Sequence, residues 1–139
     1  MITLDTSGFW AATNRGDPFY SDARAVLAED PGPWIIPAAI LTEVAWIIEA
    51  RSHAGAIALD TLVAFLADLR SGQYTLSCGE QDFGRISELV RRYADLGLDF
   101  ADAAVVACAE RNGGRVLTTD RRHFHVLARG EKTITVWPV

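Results

Sequence analysis

Lysine is nearly missing from this chain: Lys132 stands alone against twelve arginines. Acids outnumber these cations and leave a net charge of −5, which argues against broad electrostatic binding of nucleic acid. The cations that remain are guanidinium forks, whose geometry suits phosphate. Cysteine is also scarce. Cys78 and Cys108 form no C-x-x-C pair and are expected as reduced thiols in a cytosolic core. No apolar run approaches the roughly 18 residues that would cross a bilayer. No basic segment followed by an apolar stretch opens the chain, so no signal peptide is expected and the location is read as cytoplasmic. There is no internal repeat, low-complexity tract or long linker. One domain over residues 1–139 is expected, long enough to bury roughly 68–70% of its unfolded surface without staples.

What is present is an alternation of short apolar strands with helices. Strands are expected at 2–4, 34–36, 74–76, 116–118 and 134–136. Helices are expected at 8–14, 18–28, 37–51, 56–69, 81–94 and from Asp99 to the Gly113–Gly114 stop, with a further helix opening at Arg121. Pro18 suits a first helical turn. The order predicts an α/β fold, a three-layer α/β/α sandwich around a mostly parallel sheet. In such sheets ligands bind beyond the carboxyl ends of the strands, and Asp5 and Asp120 each follow an apolar strand there.

Two further acids face inward. On the helix from Pro37, Ile40, Val44, Ile47 and Ile48 share a face, and Glu43 falls about 40° from Ile47 at about 100° per residue. Asp102 lies in the apolar stripe of Val105, Val106 and Ala109, where a carboxylate must be paired, protonated or bound to a cation. Each acid has a plain structural reading as well. Asp5, Asp99 and Asp120 stand where helix N-caps stand, each worth about 1 kcal/mol. Glu43 by itself reads as a glutamate at a helix margin. Convergence of all of them on one sheet edge would require a cation. An all-oxygen set suits Mg²⁺ or Mn²⁺, and such an ion can activate a water and hold a phosphoryl oxygen. Thr6, Ser7, Thr118 and Thr119 are placed to orient the water or the ligands.

The order of these blocks resembles the PIN-domain ribonucleases, specifically VapC-type toxins of toxin–antitoxin pairs. "LDTS" at 4–7 resembles the family's first acid block and "PAAILTEVAWII" at 37–48 its second, with Glu43. "YADLGLDFADAAVVACAERNG" at 93–113 resembles the third, with Asp102, and "VLTTDRRHF" at 116–124 the fourth, with Asp120. The resemblance implies an Mg²⁺- or Mn²⁺-dependent endoribonuclease that cuts tRNA or ribosomal RNA. It also implies metal ligation by Asp5, Glu43, Asp102 and Asp120, a VapB-like antitoxin and a homodimer. Asp99 is an auxiliary acid at most. His123 stands near a position where many members carry a further acid.

Arg121 and Arg122 follow Asp120 and are candidates to hold substrate phosphate. His123 and His125 have H-x-H spacing, but nothing nearby completes a zinc set, and surface or supporting roles are expected. Trp10 and Trp46 are candidates for a substrate or partner surface. Leu59, Leu62, Val63, Phe65, Leu66 and Leu69 give the helix at 56–69 a wide apolar arc, with surplus for a dimer or an antitoxin helix. The alternatives are a catalytically inactive binding module of the same fold, or an Mg²⁺-dependent phosphoacceptor domain. The second would need a mid-chain strand ending on its acceptor aspartate. The strand at 34–36 ends on Pro37 and that at 74–76 on Ser77.

Overall fold

A computed structural model describes residues 1–51, 55–77 and 79–137. Five strands, β1 (Ile2–Leu4), β2 (Trp34–Pro37), β3 (Tyr74–Ser77), β4 (Arg115–Leu117) and β5 (Thr135–Trp137), form one sheet in the order β3-β2-β1-β4-β5. Every pairing is parallel, with Thr3 opposite both Ile35 and Val116. β1 is the central strand and all three of its residues are buried, which is why it reads as a continuous apolar run rather than an alternation. The helices are α1 (Thr6–Thr13), α2 (Tyr20–Glu29), α3 (Leu41–Arg51), α4 (Gly55–Ser71), α5 (Phe83–Arg92), α6 (Phe100–Arg111) and α7 (Arg121–Glu131). They flank the sheet, as the alternation predicts. No helix among the described residues is long and apolar enough to cross a membrane.

α6 is the helix most deeply held. Residues Ala103 through Ala109 are all buried, and it packs on β1, β2 and β4. Its four buried alanines let those strands approach closely. It stops where expected: Gly113 and Gly114 carry φ of 95° and 77°, and the Gly114 N–H donates to Ala109 O at 2.7 Å. A Cβ on Gly114 would sit 2.5 Å from Thr133 O.

Several boundaries differ from the sequence expectation. The helix expected at 37–51 begins with a 3-10 turn over Ala38–Ile40 before α3. The one expected at 81–94 is divided into a 3-10 turn over Glu80–Asp82, α5, and a second turn over Ala94–Leu96, stopped by Gly97 at φ 72°. β4 ends at Leu117 rather than at Thr118, whose hydroxyl stands at the sheet edge beside Asp5. Cys108, wholly buried on α6, is disulfide-bonded, so the expectation of a reduced thiol is corrected there. Cys78 lies outside the described residues.

Away from that edge, α5, α6 and α7 are tied by a polar network. The Glu131 carboxylate, on a side chain only 2% exposed, accepts from Arg92 at 2.8 and 2.9 Å and from Arg85 and the Tyr93 hydroxyl. Arg85 also forms a forked pair with Glu110 at 2.8 and 2.9 Å. A bidentate guanidinium–carboxylate pair fixes orientation as well as charge, so this cluster sets how α7, which carries one wall of the site, lies against α5 and α6.

Candidate active site

The chain leaves β1 toward β2 on one side and later returns to β4 on the other, so the strand order reverses between β1 and β4. That reversal opens a crevice at the carboxyl ends of the two strands. A cleft of about 380 Å³ lies there, and its walls include Asp5, Glu43, Asp99, Asp102, Asp120 and His123. The approach of α1 to β4 is tight: a Cβ on Gly8 would fall 2.0 Å from Leu117 O.

Asp5 is buried, and its carboxylate is fully engaged. Oδ1 accepts the Gly8 N–H at 2.6 Å and Oδ2 accepts the Thr118 hydroxyl at 2.6 Å. Ser7 Oγ lies 2.9 and 3.0 Å from the two oxygens. Burial pushes this carboxyl up from 3.8 to about 7, against the opposing pull of the Thr118, Gly8 and Ser7 hydrogen bonds. The charge of Asp102 adds to the rise. Asp102 is itself pushed up to about 6, first by burial and then by the Asp99 charge, with His123 pulling the other way.

Three of the aspartates are helix caps, as their positions suggested. Asp5 caps α1, Asp99 caps α6 through the Asp102 N–H at 2.9 Å, and Asp120 caps α7 through the His123 N–H at 3.2 Å. Three helix N-termini therefore point into one cleft, and their partial positive charge offsets part of the negative charge gathered there. Capping and convergence, which the sequence presents as alternatives, coexist. Glu43 sits at the rim, exposed, where its Oε2 accepts the Thr6 hydroxyl at 2.6 Å. Thr118 Oγ1 also accepts the Asp120 N–H at 3.0 Å, and Ser7 Oγ accepts the Thr119 N–H at 2.9 Å. These hydroxyls link the ends of β1 and β4 into one unit.

The model of the PIN domain family matches residues 2–130. The chain belongs to the PIN-domain family. It is 27% identical over 128 residues to ribonuclease VapC26 of Mycobacterium tuberculosis, covering 91% of each chain. The crystal structure of VapC20 from the same organism, described as a sarcin–ricin loop cleaving toxin, superposes with a TM-score of 0.74 at 22% identity. That match covers 91% of this chain and 95% of the other. The relationship to VapC ribonuclease toxins is thus a distant homology.

A cation in this PIN domain's cleft can be tested against the donors it offers. Ligand atoms of Asp102, Asp120 and His123 all lie within 4.8 Å of one another. Among the described residues lining the cleft, Arg51 is the only arginine or lysine, one permanent cation against six carboxyl groups. A set of carboxylates and one imidazole, short of positive charge, fits a divalent ion.

The remaining sequence candidates fall in different places. Thr6, Ser7 and Thr119 line the cleft. Arg121 and Arg122 are exposed at the start of α7 and outside the cleft lining, and the Arg121 guanidinium lies 5.7 Å from the Phe19 ring. Trp10 is half-buried in the cleft wall, whereas Trp46 is 66% exposed. Arg51 was not singled out by the sequence. It lies 5.7 Å over the Trp10 ring and puts a cation on the cleft wall. Its place at the last residue of α3 offered only a helix-end signal, since the contact depends on how α3 packs against α1.

Proposed function

We propose that this PIN domain is a metal-dependent endoribonuclease toxin of the VapC type, which cuts tRNA or ribosomal RNA and is neutralised by a VapB-like antitoxin. The observation that carries the reading is the meeting of Asp5, Asp102 and Asp120 at the switch point of the sheet, with Asp5 and Asp102 pushed well above the ordinary carboxylate range. The printed functions of the two VapC relatives support it. Asp5, Asp102, Asp120 and Glu43 hold Mg²⁺ or Mn²⁺, directly or through water. When bound, the ion supplies an activated water and a hold on the phosphoryl oxygen for in-line displacement.

The chain's own residues do the rest. Ser7, Thr118 and the Gly8 N–H fix the Asp5 carboxylate, and Thr6 fixes Glu43. Thr119 tethers the end of β4 to Ser7. Asp99 closes the first turn of α6 and so sets the direction of Asp102. Arg51 in the wall, with Arg121 and Arg122 beyond it, receives the flanking phosphates. The net negative charge is consistent with this reading, because the ion neutralises the reacting phosphate.

The antitoxin surface is the apolar surplus of α3 and α4. Phe65 is buried, but Leu59, Val63, Leu66 and Trp46 are exposed, which suits an apolar helix laid in a groove. An antitoxin arginine reaching the acids would inhibit by charge pairing. A homodimer is part of the same reading.

Incubation of the purified protein with total cellular RNA, with Mg²⁺ or Mn²⁺ and with EDTA, beside Asp5→Asn, tests the proposal. Discrete cuts that vanish with EDTA and in the variant are expected, and mapping them names the target. Folded, metal-binding protein that leaves every RNA intact would favour an inactive binding module of the same fold.

A further inference from the structure

We propose that His123 is a direct ligand of the divalent ion, making this a mixed nitrogen–oxygen centre that discriminates for Mn²⁺ over Mg²⁺. The inference rests on the metal-dependent reading above and says which atoms hold the ion.

The cap of α7 places the ring. Asp120 accepts the backbone N–H of His123, so His123 occupies the last position of the capping turn and its side chain folds back toward the helix N-terminus. The ring therefore enters the cleft rather than solvent, and its side chain is only 21% exposed. Nδ1 stands 2.9 Å from Asp102 Oδ2 and 3.5 Å from Asp120 Oδ2. One nitrogen thus faces two carboxylates at once.

A hydrogen bond accounts for only part of that arrangement. Nδ1 carries at most one proton and makes one good bond with it, to Asp102. The second oxygen, at 3.5 Å, is too far for a well-formed one. A shared cation accounts for both separations. Around an octahedral ion with bonds of about 2.1 Å, adjacent ligand atoms lie about 3 Å apart, and the two separations bracket that spacing. No arginine or lysine pairs with Asp102 or Asp120 in the ion pairs of the described residues. The two carboxylates therefore keep their demand for positive charge.

The chemistry of the nitrogen sets the selectivity. Mg²⁺ prefers oxygen and retains its waters. Imidazole binds transition ions more readily than it binds Mg²⁺. Exchanging one oxygen donor for His123 nitrogen therefore lowers Mg²⁺ affinity relative to Mn²⁺. Ligation requires the ring to be neutral, with its Nδ1 lone pair free.

The decisive experiment is pulsed EPR of the wild-type protein loaded with Mn²⁺ alone, with Mn²⁺ and Mg²⁺ affinities measured by calorimetry. A ¹⁴N coupling from a directly bound imidazole is expected, and it should vanish in His123→Asp and His123→Gln. The Mn²⁺-to-Mg²⁺ affinity ratio should fall by about tenfold in His123→Asp, which restores an oxygen donor. Bound Mn²⁺ without a nitrogen coupling overturns this inference and leaves the metal-dependent reading standing. Failure to bind Mn²⁺ at all overturns both. A coupling that survives in both variants assigns the nitrogen to another histidine and also overturns it. The wild-type spectrum decides the question even where a variant does not fold.

Discussion

Asp5→Asn should make the ion-free protein more stable while removing the RNA cleavage proposed for it. Asp5 is buried, and its carboxyl is pushed from 3.8 to about 7. The folded state therefore keeps a proton that the unfolded chain releases between those values. The sign follows from linkage: Asp5's contribution is fully present below about pH 4 and is lost as pH rises through about 7. At about 1.4 kcal/mol per pH unit, the cost of ionising it in place has a ceiling of about 4 kcal/mol. Asparagine keeps an acceptor for the Gly8 N–H and offers its amide to Thr118, whose hydroxyl can accept. It carries no charge to desolvate. Allowing half the ceiling for relaxation, the variant should gain about 2 kcal/mol at pH 8, or about 6 °C for a chain of this size.

The assay is urea or thermal unfolding of both proteins in EDTA at several pH values from 4.5 to 8. The gap between them should widen in favour of Asp5→Asn as pH rises. Adding Mn²⁺ at pH 8 should stabilise the wild type and narrow the gap, because a ligand that binds only the folded state stabilises it by mass action. Parallel stability profiles across this range would refute the reasoning, since they would mean that the Asp5 carboxylate is ionised at no cost.

Three further outcomes are expected. Gly8→Ala should lose about 1–3 kcal/mol in denaturant unfolding, because the added methyl meets Leu117 O at 2.0 Å, and metal affinity should fall with it as β1 and β4 part. Glu131→Gln should cost about 2 kcal/mol, read from the urea midpoint, because it weakens a carboxylate that holds Arg85, Arg92 and Tyr93; cleavage per folded molecule should stay within a factor of two or so. Arg51→Ala should raise KM for RNA several-fold with little change in kcat, measured by steady-state cleavage, because it removes phosphate attraction from the wall and leaves the acids in place.

The sheet edge was readable because its signals are local. A short strand followed closely by an acid needs no partner to be noticed: Asp5 comes directly after β1 and Asp120 three residues after β4. The inward position of Asp102 followed from helical periodicity alone. What escaped depends on contacts between distant segments. Arg51 joins the cleft through Trp10, forty-one residues away in the chain. Arg121, adjacent to Asp120 in sequence, is carried outward by the turn of α7 and lies over Phe19 instead. The sequence also carries a local signal for the placement of His123. A histidine three residues after a capping aspartate is returned by the cap to the same end of the helix. The state of Cys108 was not legible, because no C-x-x-C or other local spacing marks it.

The caps explain how a stable fold tolerates this much negative charge in one cleft, and they also mark what the fold leaves unexplained. A cap requires one acceptor oxygen, which serine, threonine or asparagine supplies about as well as aspartate. Asp5 gives Oδ1 to its helix, Asp99 gives Oδ1, and Asp120 gives Oδ1. Capping makes no use of the second oxygens or of the charge, although Asp5 Oδ2 also accepts the Thr118 hydroxyl. Asp102 caps nothing, and among the described residues its one side-chain partner in a hydrogen bond is His123. Were architecture the whole account, neutral caps and an apolar residue at 102 would give a more stable protein, because burial would no longer hold two carboxyls at about 7 and about 6. The cost falls on the side of the molecule where the strand order reverses and a ligand has room to enter. Stability withheld at that edge is consistent with the site proposed there for a cation and a phosphate.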